Sequence, residues 1–172
     1  MLFAKIIVFL GLTATSVLAA INSKTVNDIN TVRNSVIKAR KAMEAWDGGV
    51  LSGIPLVHTI YKAHTTAETA RKGIEGSDPF DGEDRDAVLD AYHQLQPELV
   101  RTMGVAQKRA PDFKKAGAGY IARSLMSNIR TERDDFEKAM RTKMSPEHHK
   151  MVEPSIDDVN AAFDATAKAM KE

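Results

Sequence analysis

Apolar residues recur at alternating spacings of three and four along five stretches of this chain. An α-helix has 3.6 residues per turn, so this spacing places the apolar side chains of each stretch in a stripe along one helix face. Such stripes must be buried against one another. The sequence therefore predicts an all-α protein, a five-helix bundle of amphipathic helices with an apolar interior.

The first 20 residues have the pattern of a secretory signal peptide. Lys5 precedes an apolar run over residues 6–12, and Val17 and Ala19 fit the two specificity positions of a signal-peptidase site. The run is too short to span a bilayer, and no later segment approaches about 18 consecutive apolar residues. We expect a signal peptide over residues 1–20, a single domain over residues 21–172, secretion, and no transmembrane segment.

Composition narrows the class of partner. Without Lys5, 23 basic residues balance 23 acidic residues, which argues against a nucleic-acid partner. The chain has no cysteine, and it has 8 methionines, counting Met1. Methionine adapts to irregular packing, so this content fits either simple core filler or the lining of a pocket for a flexible ligand.

Helix boundaries are predicted from capping residues and breakers. We expect the first helix to begin at an N-cap on Thr25 and to end before Gly48 and Gly49. The second should open at Pro55, whose missing N–H is harmless in a first turn. The fourth should follow the turn over residues 117–119, and the fifth should begin at residues 145–147, with Pro154 bending or restarting it.

Pro97 interrupts the stripe of the third helix. It removes one backbone donor and crowds the carbonyl of His93, so the helix should kink or split there. A kink could hold two helices apart and leave a cavity, or it could be a tolerated bend in a filled core. The sequence leaves both interpretations open.

Residues on the stripes are the candidates for contact with an apolar ligand. The predicted lining residues are Val36, Met43, Leu56, Ile60, Tyr92, Leu95, Leu99, Met103, Ile121, Leu125, Ile129, Phe136, Met140, Val159, Phe163 and Met170.

Three polar residues lie on or beside these stripes. Glu132 falls within the apolar arc of the fourth helix, and Arg133 falls at its margin. Arg133 could meet the carboxylate of a ligand while Glu132 orients it, or the two could belong to local ion pairs. The hydroxyl of Thr166, beside the fifth stripe, can bond to the backbone or to a ligand.

Motifs for catalysis and metal binding are absent from the sequence. The pairs His148–His149 and His58–His64 lack the spacing of a zinc site. There is no Gly-x-Ser-x-Gly sequence and no phosphate-binding glycine loop. We therefore expect a protein that is not an enzyme and needs no metal or cofactor.

Four short segments carry a resemblance to a known family. They are Val26-Asn27-Asp28-Ile29, Trp46-Asp47-Gly48-Gly49, Leu95-Gln96-Pro97 and Lys114-Lys115-Ala116-Gly117. Their order resembles that of the fungal hydrophobic surface-binding protein A family, which includes the lipid-binding domains of fungal cell-wall galactomannoproteins. The similarity covers essentially the whole mature chain.

The resemblance implies a five-helix bundle secreted by a fungus, with long-chain fatty acids bound in an elongated interior cavity. For some members it also implies adsorption to hydrophobic surfaces and recruitment of a secreted polyesterase. The chain lacks the Ser/Thr-rich, wall-anchored tail of the galactomannoproteins, so any association with the cell wall should be loose.

Three functional hypotheses follow. The first is non-enzymatic binding of a long-chain fatty acid or similar lipid in the bundle interior. The second is adsorption to an apolar surface, with recruitment of a secreted hydrolase; we expect it to require a bundle that hinges open, because the exterior is highly charged. The third is a structural or host-interaction role, which would favour an exposed apolar groove for a protein partner.

Overall fold

A computed structural model describes the backbone of residues 12–171 and the side chains of residues 24–171. Residues 1–11, which make up much of the predicted signal peptide, lie outside the described residues, and the domain boundary after residue 20 stays a prediction. The described residues form five helices: α1 (Leu12–Ala45), α2 (Val50–Glu75), α3 (Gly82–Lys115), α4 (Gly119–Thr142) and α5 (Pro146–Lys171). The predicted all-α, five-helix architecture is confirmed.

The short connections make successive helices antiparallel. α1 packs against α2 and α3, α3 packs against α5 and α4, and α4 also contacts α2 and α5. One end of the bundle, here called the Trp46 end, therefore gathers the last turns of α1, α3 and α5 and the first turns of α2 and α4. At the opposite end, here called the Phe80 end, the N–H of Phe80 donates to the carbonyl of Lys143 at 2.9 Å.

Two helix starts differ from those predicted. α1 continues through Thr25, which is buried within it, because no breaker in the preceding residues stops the helix. α2 begins at Val50, ahead of Pro55. Asp47 explains the early start, since its Oδ1 accepts from the N–H of Gly49 at 2.8 Å and from the hydroxyl of Ser52.

The third helix does not split. α3 runs uninterrupted through both Pro97 and Pro111. Pro97 and His93 are exposed, so water can reach the carbonyl that the proline leaves without its usual donor. α5 begins at Pro146 as predicted, and Pro154 lies inside it on the exposed face.

The buried residues form two clusters along the bundle. One lies toward the Phe80 end and includes Ile29, Ile74 and Val88. The other lies toward the Trp46 end, where the rings of Trp46 and Phe113 stack with centroids 4.7 Å apart. Among the described residues, no helix combines the length and the apolar character needed to cross a membrane.

Candidate functional site

An elongated cavity runs along the bundle between the two ends. Its wall extends along α4 from just before the helix, at Ala118, to Phe136, a distance of about 27 Å at 1.5 Å per residue. The cavity volume is about 120 Å³. One water molecule needs roughly 10–15 Å³ of such space, so the cavity is a narrow slot with room for roughly ten.

The wall is overwhelmingly apolar and is built by all five helices. Its apolar residues are Val32, Val36, Ala39, Met43, Val57, Ile60, Ala63, Ala67, Leu95, Leu99, Met103, Ala106, Phe113, Ala118, Ile121, Ala122, Leu125, Met126, Ile129, Phe136, Val159 and Met170. Its polar residues are His64, Tyr92, Gln96, Thr102, Glu132 and Arg133. Four of the wall residues are methionines, which can move to admit a thicker occupant.

Most predicted lining residues lie on this wall. They are Val36, Met43, Ile60, Tyr92, Leu95, Leu99, Met103, Ile121, Leu125, Ile129, Phe136, Val159 and Met170, together with Arg133. The structure brings them together around one space, and their contact with a ligand stays a prediction.

Four predicted site residues lie elsewhere. Leu56, Met140, Phe163 and Thr166 are buried but do not line the cavity. A stripe identifies the buried face of a helix, but it does not distinguish side chains that fill the core from those that border a void. These four side chains lie outside the cavity wall, and their contact with a ligand stays a prediction.

Several wall residues were missing from the prediction. The residues of α3 that face the cavity follow one another at helical spacing from Tyr92 to Ala106, and Gln96 and Thr102 lie within that series. Both are polar and were therefore passed over, although their position on the helix face was readable. His64 on α2 was interpreted only as half of an unsuitable zinc pair.

Glu132 is held by an ion pair between α2 and α4. Nε of Arg71 donates to Oε1 of Glu132 at 2.7 Å, and Nη2 of Arg71 lies 3.4 Å from Oε2. Arg71 also donates to Glu75 at 2.7 Å. These hydrogen bonds raise the pKa of Arg71, first through Glu132 and then through Glu75, so the guanidinium stays charged.

Arg133 is also occupied by protein partners. Its Nη1 donates to Oδ1 of Asn160 at 2.6 Å and to Asp134 at 2.9 Å. Its Nη2 lies 3.1 Å from Oε2 of Glu137 and donates to the carbonyl of Ile156 at 3.3 Å. The sequence left two interpretations open for Glu132 and Arg133, a contact with the carboxylate of a ligand or ion pairs within the protein. The structure shows ion pairs for both residues.

The hydroxyl of Thr166 bonds to the backbone. It donates to the carbonyls of Ala162, at 2.8 Å, and Met103, at 3.0 Å. Thr166 is fully buried, and its hydroxyl links α5 to α3.

Tyr92 and Gln96 form the polar part of the wall on α3. They are one helical turn apart and are 5% and 2% exposed. The ring of Tyr92 lies nearly parallel to that of Phe136, with centroids 6.3 Å apart. Burial raises the pKa of Tyr92, which a hydrogen bond from Gln96 opposes only in part, so the phenol stays protonated. Oε1 of Gln96 is buried without a hydrogen-bond partner.

Along α4, burial of the wall increases toward the Phe80 end. On α2, the wall residues Val57, Ile60 and Ala67 are half-buried; Leu51, before them, is 83% exposed and Ile74, after them, is fully buried. On α4, Ile121 is 49% exposed although it lines the cavity, and Phe136 is buried. The cavity is therefore open toward the Trp46 end and closed toward the Phe80 end, where Arg71 and Glu132 tie α2 to α4.

Large apolar side chains are exposed around this opening. The first turns of α2 and the start of α4 carry Val50, Leu51, Ile54, Tyr120 and Ile121, which are 49–83% exposed. We call these five residues the apolar rim. A concentration of exposed apolar residues at one end of a bundle is a sign of an interaction surface.

The contacts of the described histidines do not suggest a metal site. Nδ1 of His148 lies 2.5 Å from the hydroxyl of Ser145, and Nε2 of His149 lies 2.7 Å from the carbonyl of Arg141. Over residues 24–171, no group of three or more His, Cys, Asp or Glu residues is arranged to hold a metal ion.

Solved structures share this fold over most of the chain. AfMP4p in complex with palmitic acid matches with a TM-score of 0.82 and 15% identity, over 87% of this chain and 99% of that chain. Ligand-binding domain 1 of the Penicillium marneffei MP1 protein, complexed with arachidonic acids, matches with a TM-score of 0.76 and 13% identity, over 87% of this chain and 96% of that domain.

Domain 2 of the same MP1 protein, complexed with multiple arachidonic acids, matches with a TM-score of 0.76 and 14% identity, over 88% of this chain and 95% of that domain. At such identities the likeness establishes the fold. No curated protein sequence matches the chain significantly. Residues 13–142 match the family described as hydrophobic surface binding protein A, and the chain belongs to that family.

Proposed function

We propose that this chain is a secreted, non-enzymatic lipid-binding protein that takes a long-chain fatty acid or a similar lipid into the cavity. The observation that carries the proposal is a slot about 27 Å long with a wall composed mainly of aliphatic, aromatic and methionine side chains. Its long, narrow form suits an extended hydrocarbon chain better than a compact ligand. The fatty acids in the complexes of AfMP4p and MP1 support this assignment.

The energy of burial is sufficient for binding. A chain of about 16 methylenes at roughly 0.8 kcal/mol each contributes about 13 kcal/mol before costs. Association and ordering oppose binding by roughly 4–15 kcal/mol. The balance is compatible with micromolar or tighter affinity, so contacts with the polar group need supply only part of it.

A cavity-blocking variant tests the proposal. Ala63 is a half-buried residue on the α2 wall, and Ala63→Phe should place a ring in the slot. We expect native mass spectrometry to show one or more palmitic acid molecules on the delipidated wild-type protein, and the variant to bind at least about tenfold more weakly, equivalent to about 1.4 kcal/mol.

The control is the same substitution on the exposed face of α5. Ala165 lies outside the cavity wall and is exposed, so Ala165→Phe should bind palmitic acid like the wild type. Saturable uptake that is unaffected by Ala63→Phe would place the lipid elsewhere, and a wild type that takes up neither palmitic acid nor another long-chain lipid saturably would overturn the proposed function.

A second candidate function is adsorption to apolar surfaces through the apolar rim. The exposure of its five residues favours this candidate, and the family description is consistent with it. Adsorption through the rim would leave the helices packed, unlike the hinge opening expected from the sequence. Recruitment of a secreted polyesterase, implied by the resemblance for some members, is a further prediction for binding experiments.

A further inference from the structure

Four of the six polar residues of the cavity wall lie away from its opening; the other two are His64 and Thr102. Tyr92, Gln96, Glu132 and Arg133 lie on the half of the wall nearer the Phe80 end, whereas Met103, Phe113 and Met170 line the half nearer the Trp46 end. A lipid that matches this distribution enters with its polar group first and leaves its hydrocarbon chain toward the opening. That polar group loses its contact with bulk water.

Loss of water disfavours an ionised group at the closed end. The two charged side chains on that part of the wall, Glu132 and Arg133, are both in ion pairs with protein partners. A buried carboxylate without its own cation is strongly unfavourable, whereas a neutral polar group needs only hydrogen bonds. The electrostatics of the closed end therefore favour a neutral polar group.

Tyr92 and Gln96 specify which neutral group fits. The amide of Gln96 lies close enough to the phenol for hydrogen bonding to lower the pKa of Tyr92, and the phenolic O–H remains a donor. Oε1 of Gln96 is a buried acceptor without a partner, and an unmet buried acceptor is relieved when a donor reaches it. The pair thus offers one donor and one acceptor, the combination that a hydroxyl group complements.

The Gln96 amide can also be placed in the reverse orientation, with its nitrogen toward the ligand. This orientation still does not favour an ionised carboxylate. With the amide turned round, Tyr92 would donate to Oε1 and Nε2 would face the ligand. An ionised carboxylate would then receive one neutral donor in a buried site where the cation on the wall, Arg133, is held by Glu137 and Asp134. One such hydrogen bond does not offset the loss of hydration of the ion.

Resting on the proposed function, we propose that Tyr92 and Gln96 recognise a neutral hydroxyl group of the bound lipid, so that the cavity prefers long-chain alcohols and other hydroxyl-bearing lipids to ionised fatty acids.

The test compares three probes that share a hydrocarbon length: 1-hexadecanol, palmitic acid and hexadecane. Each is titrated into the delipidated full chain at about pH 8, where the free acid is ionised. We expect hexadecanol to bind more tightly than the other two. Gln96→Met, which keeps the length of the side chain but removes its acceptor, should reduce the affinity for hexadecanol relative to that for hexadecane roughly two- to tenfold.

Two further variants make the comparison specific. Tyr92→Phe keeps the ring beside Phe136 but removes the phenolic donor, and it should reduce the preference for hexadecanol over hexadecane like Gln96→Met does. Gln107→Met makes the same chemical change as Gln96→Met at an exposed position of the same helix and should keep the wild-type preference. Far-ultraviolet circular dichroism establishes that each variant is folded.

A pH series separates an alcohol from an undissociated acid, which also carries a donor and an acceptor. If only neutral palmitic acid enters the closed end, its apparent affinity should rise about tenfold for each pH unit of acidification above the carboxyl pKa. Hexadecanol binding should stay flat over the same range and serves as the control for changes in the protein.

The outcomes distinguish this inference from the proposed function. If no probe binds the wild type saturably, the proposed function fails and the inference fails with it. If all three bind but the ratio of hexadecanol affinity to hexadecane affinity is the same in Gln96→Met as in the wild type, only the inference is overturned. Palmitic acid that binds more tightly than hexadecanol, with no dependence on pH, would also overturn the inference alone.

Discussion

The Arg71–Glu132 ion pair has a larger structural role than the surface pairs of this bundle. The side chain of Glu132 is only 8% exposed, and it joins α4 to α2 where the cavity closes. Removing one partner of a buried pair leaves an uncompensated charge, while an exposed pair contributes little. The contribution of each carboxylate to stability should therefore follow its burial.

Glu132→Leu tests this at the closed end. We expect the variant to lose about 2 kcal/mol of unfolding free energy, less than a fully buried pair would lose, because Arg71 is 17% exposed and keeps Glu75. Urea denaturation measures the change.

Glu68→Leu is the matched control, since Glu68 pairs with Lys72 on the surface of α2, the helix that also carries Arg71. It should leave the denaturation midpoint unchanged. A double variant, Arg71→Met with Glu132→Leu, should recover much of the loss, because it removes both charges together. Equal losses for Glu132→Leu and Glu68→Leu would contradict the role assigned to the buried pair.

Individual residues also show how far a site can be predicted from sequence. Periodicity identified the apolar faces, and the structure brings Leu99, Leu125 and Ile129, three of the predicted lining residues, to one cavity wall. Periodicity could not show that Phe163 fills the core and does not border the cavity. The position of a cavity depends on how far apart the helices lie, and the pattern of a single helix does not contain that information. Gln96 was missed because a polar residue on a buried face carries no signal until its partners are known.

At the scale of elements, the turn between α1 and α2 is fixed by Asp47. Its carboxylate accepts from the hydroxyl of Ser52 and from the N–H of Gly49, and both hydrogen bonds hold the pKa of Asp47 below its ordinary value of 3.8. Gly48 within the same turn has a φ of +87°, which glycine adopts without strain. The turn sets where α2 begins and thus the position of the apolar rim.

Asp47→Ala should lower the thermal midpoint of unfolding, with a loss that depends on pH. Because the folded pKa of Asp47 is depressed, its contribution is complete above the ordinary carboxyl value and disappears as the pH falls through the lower folded value. Wild type and variant should therefore differ most near neutral pH and converge in acid. Calorimetry in a pH series measures the difference.

Asp135→Ala provides the comparison, as Asp135 is an exposed acidic residue in the interior of α4. It should change the midpoint little near neutral pH. A difference between wild type and Asp47→Ala that grows on acidification would be inconsistent with the depressed pKa and would assign the effect to another part of the turn.

Helices were more predictable than their ends. The five stripes fixed the number of helices, and Pro146 marked the start of α5. The start of α2 depended on the hydrogen bonds that Asp47 accepts from Gly49 and Ser52, and Asp47 lies outside the helix and outside its stripe. The continuity of α3 depended on the exposure of Pro97, a property of the packed bundle.

For the whole molecule, the two ends of the bundle differ in a way that the stripes do not reveal. The Phe80 end is closed by packing and by the Arg71–Glu132 pair, while the Trp46 end is open and carries the apolar rim. Each stripe predicts burial along the full length of its helix. The exposure of Leu51 and Ile121 arises because neighbouring helices do not cover the first turns of α2 and α4.

This asymmetry predicts that adsorption occurs at the Trp46 end without unfolding. Leu51→Gln and Tyr120→Gln remove large apolar side chains that are 83% and 76% exposed. Burial of a leucine side chain contributes about 1.5–3 kcal/mol. Each variant should therefore adsorb to an alkyl-coated sensor at least about tenfold more weakly than the wild type. Neither change touches the cavity wall, so palmitic acid uptake should be retained.

Met151→Gln separates this mechanism from general surface apolarity. Met151 is 63% exposed but lies near the start of α5, at the Phe80 end, and its replacement should leave adsorption unchanged. If all three variants adsorb like the wild type, the apolar rim is not the contact. Hydrogen exchange of the adsorbed protein would then distinguish the hinged-open bundle, because the amides of buried turns such as those around Ile74 would lose protection only if the helices separate.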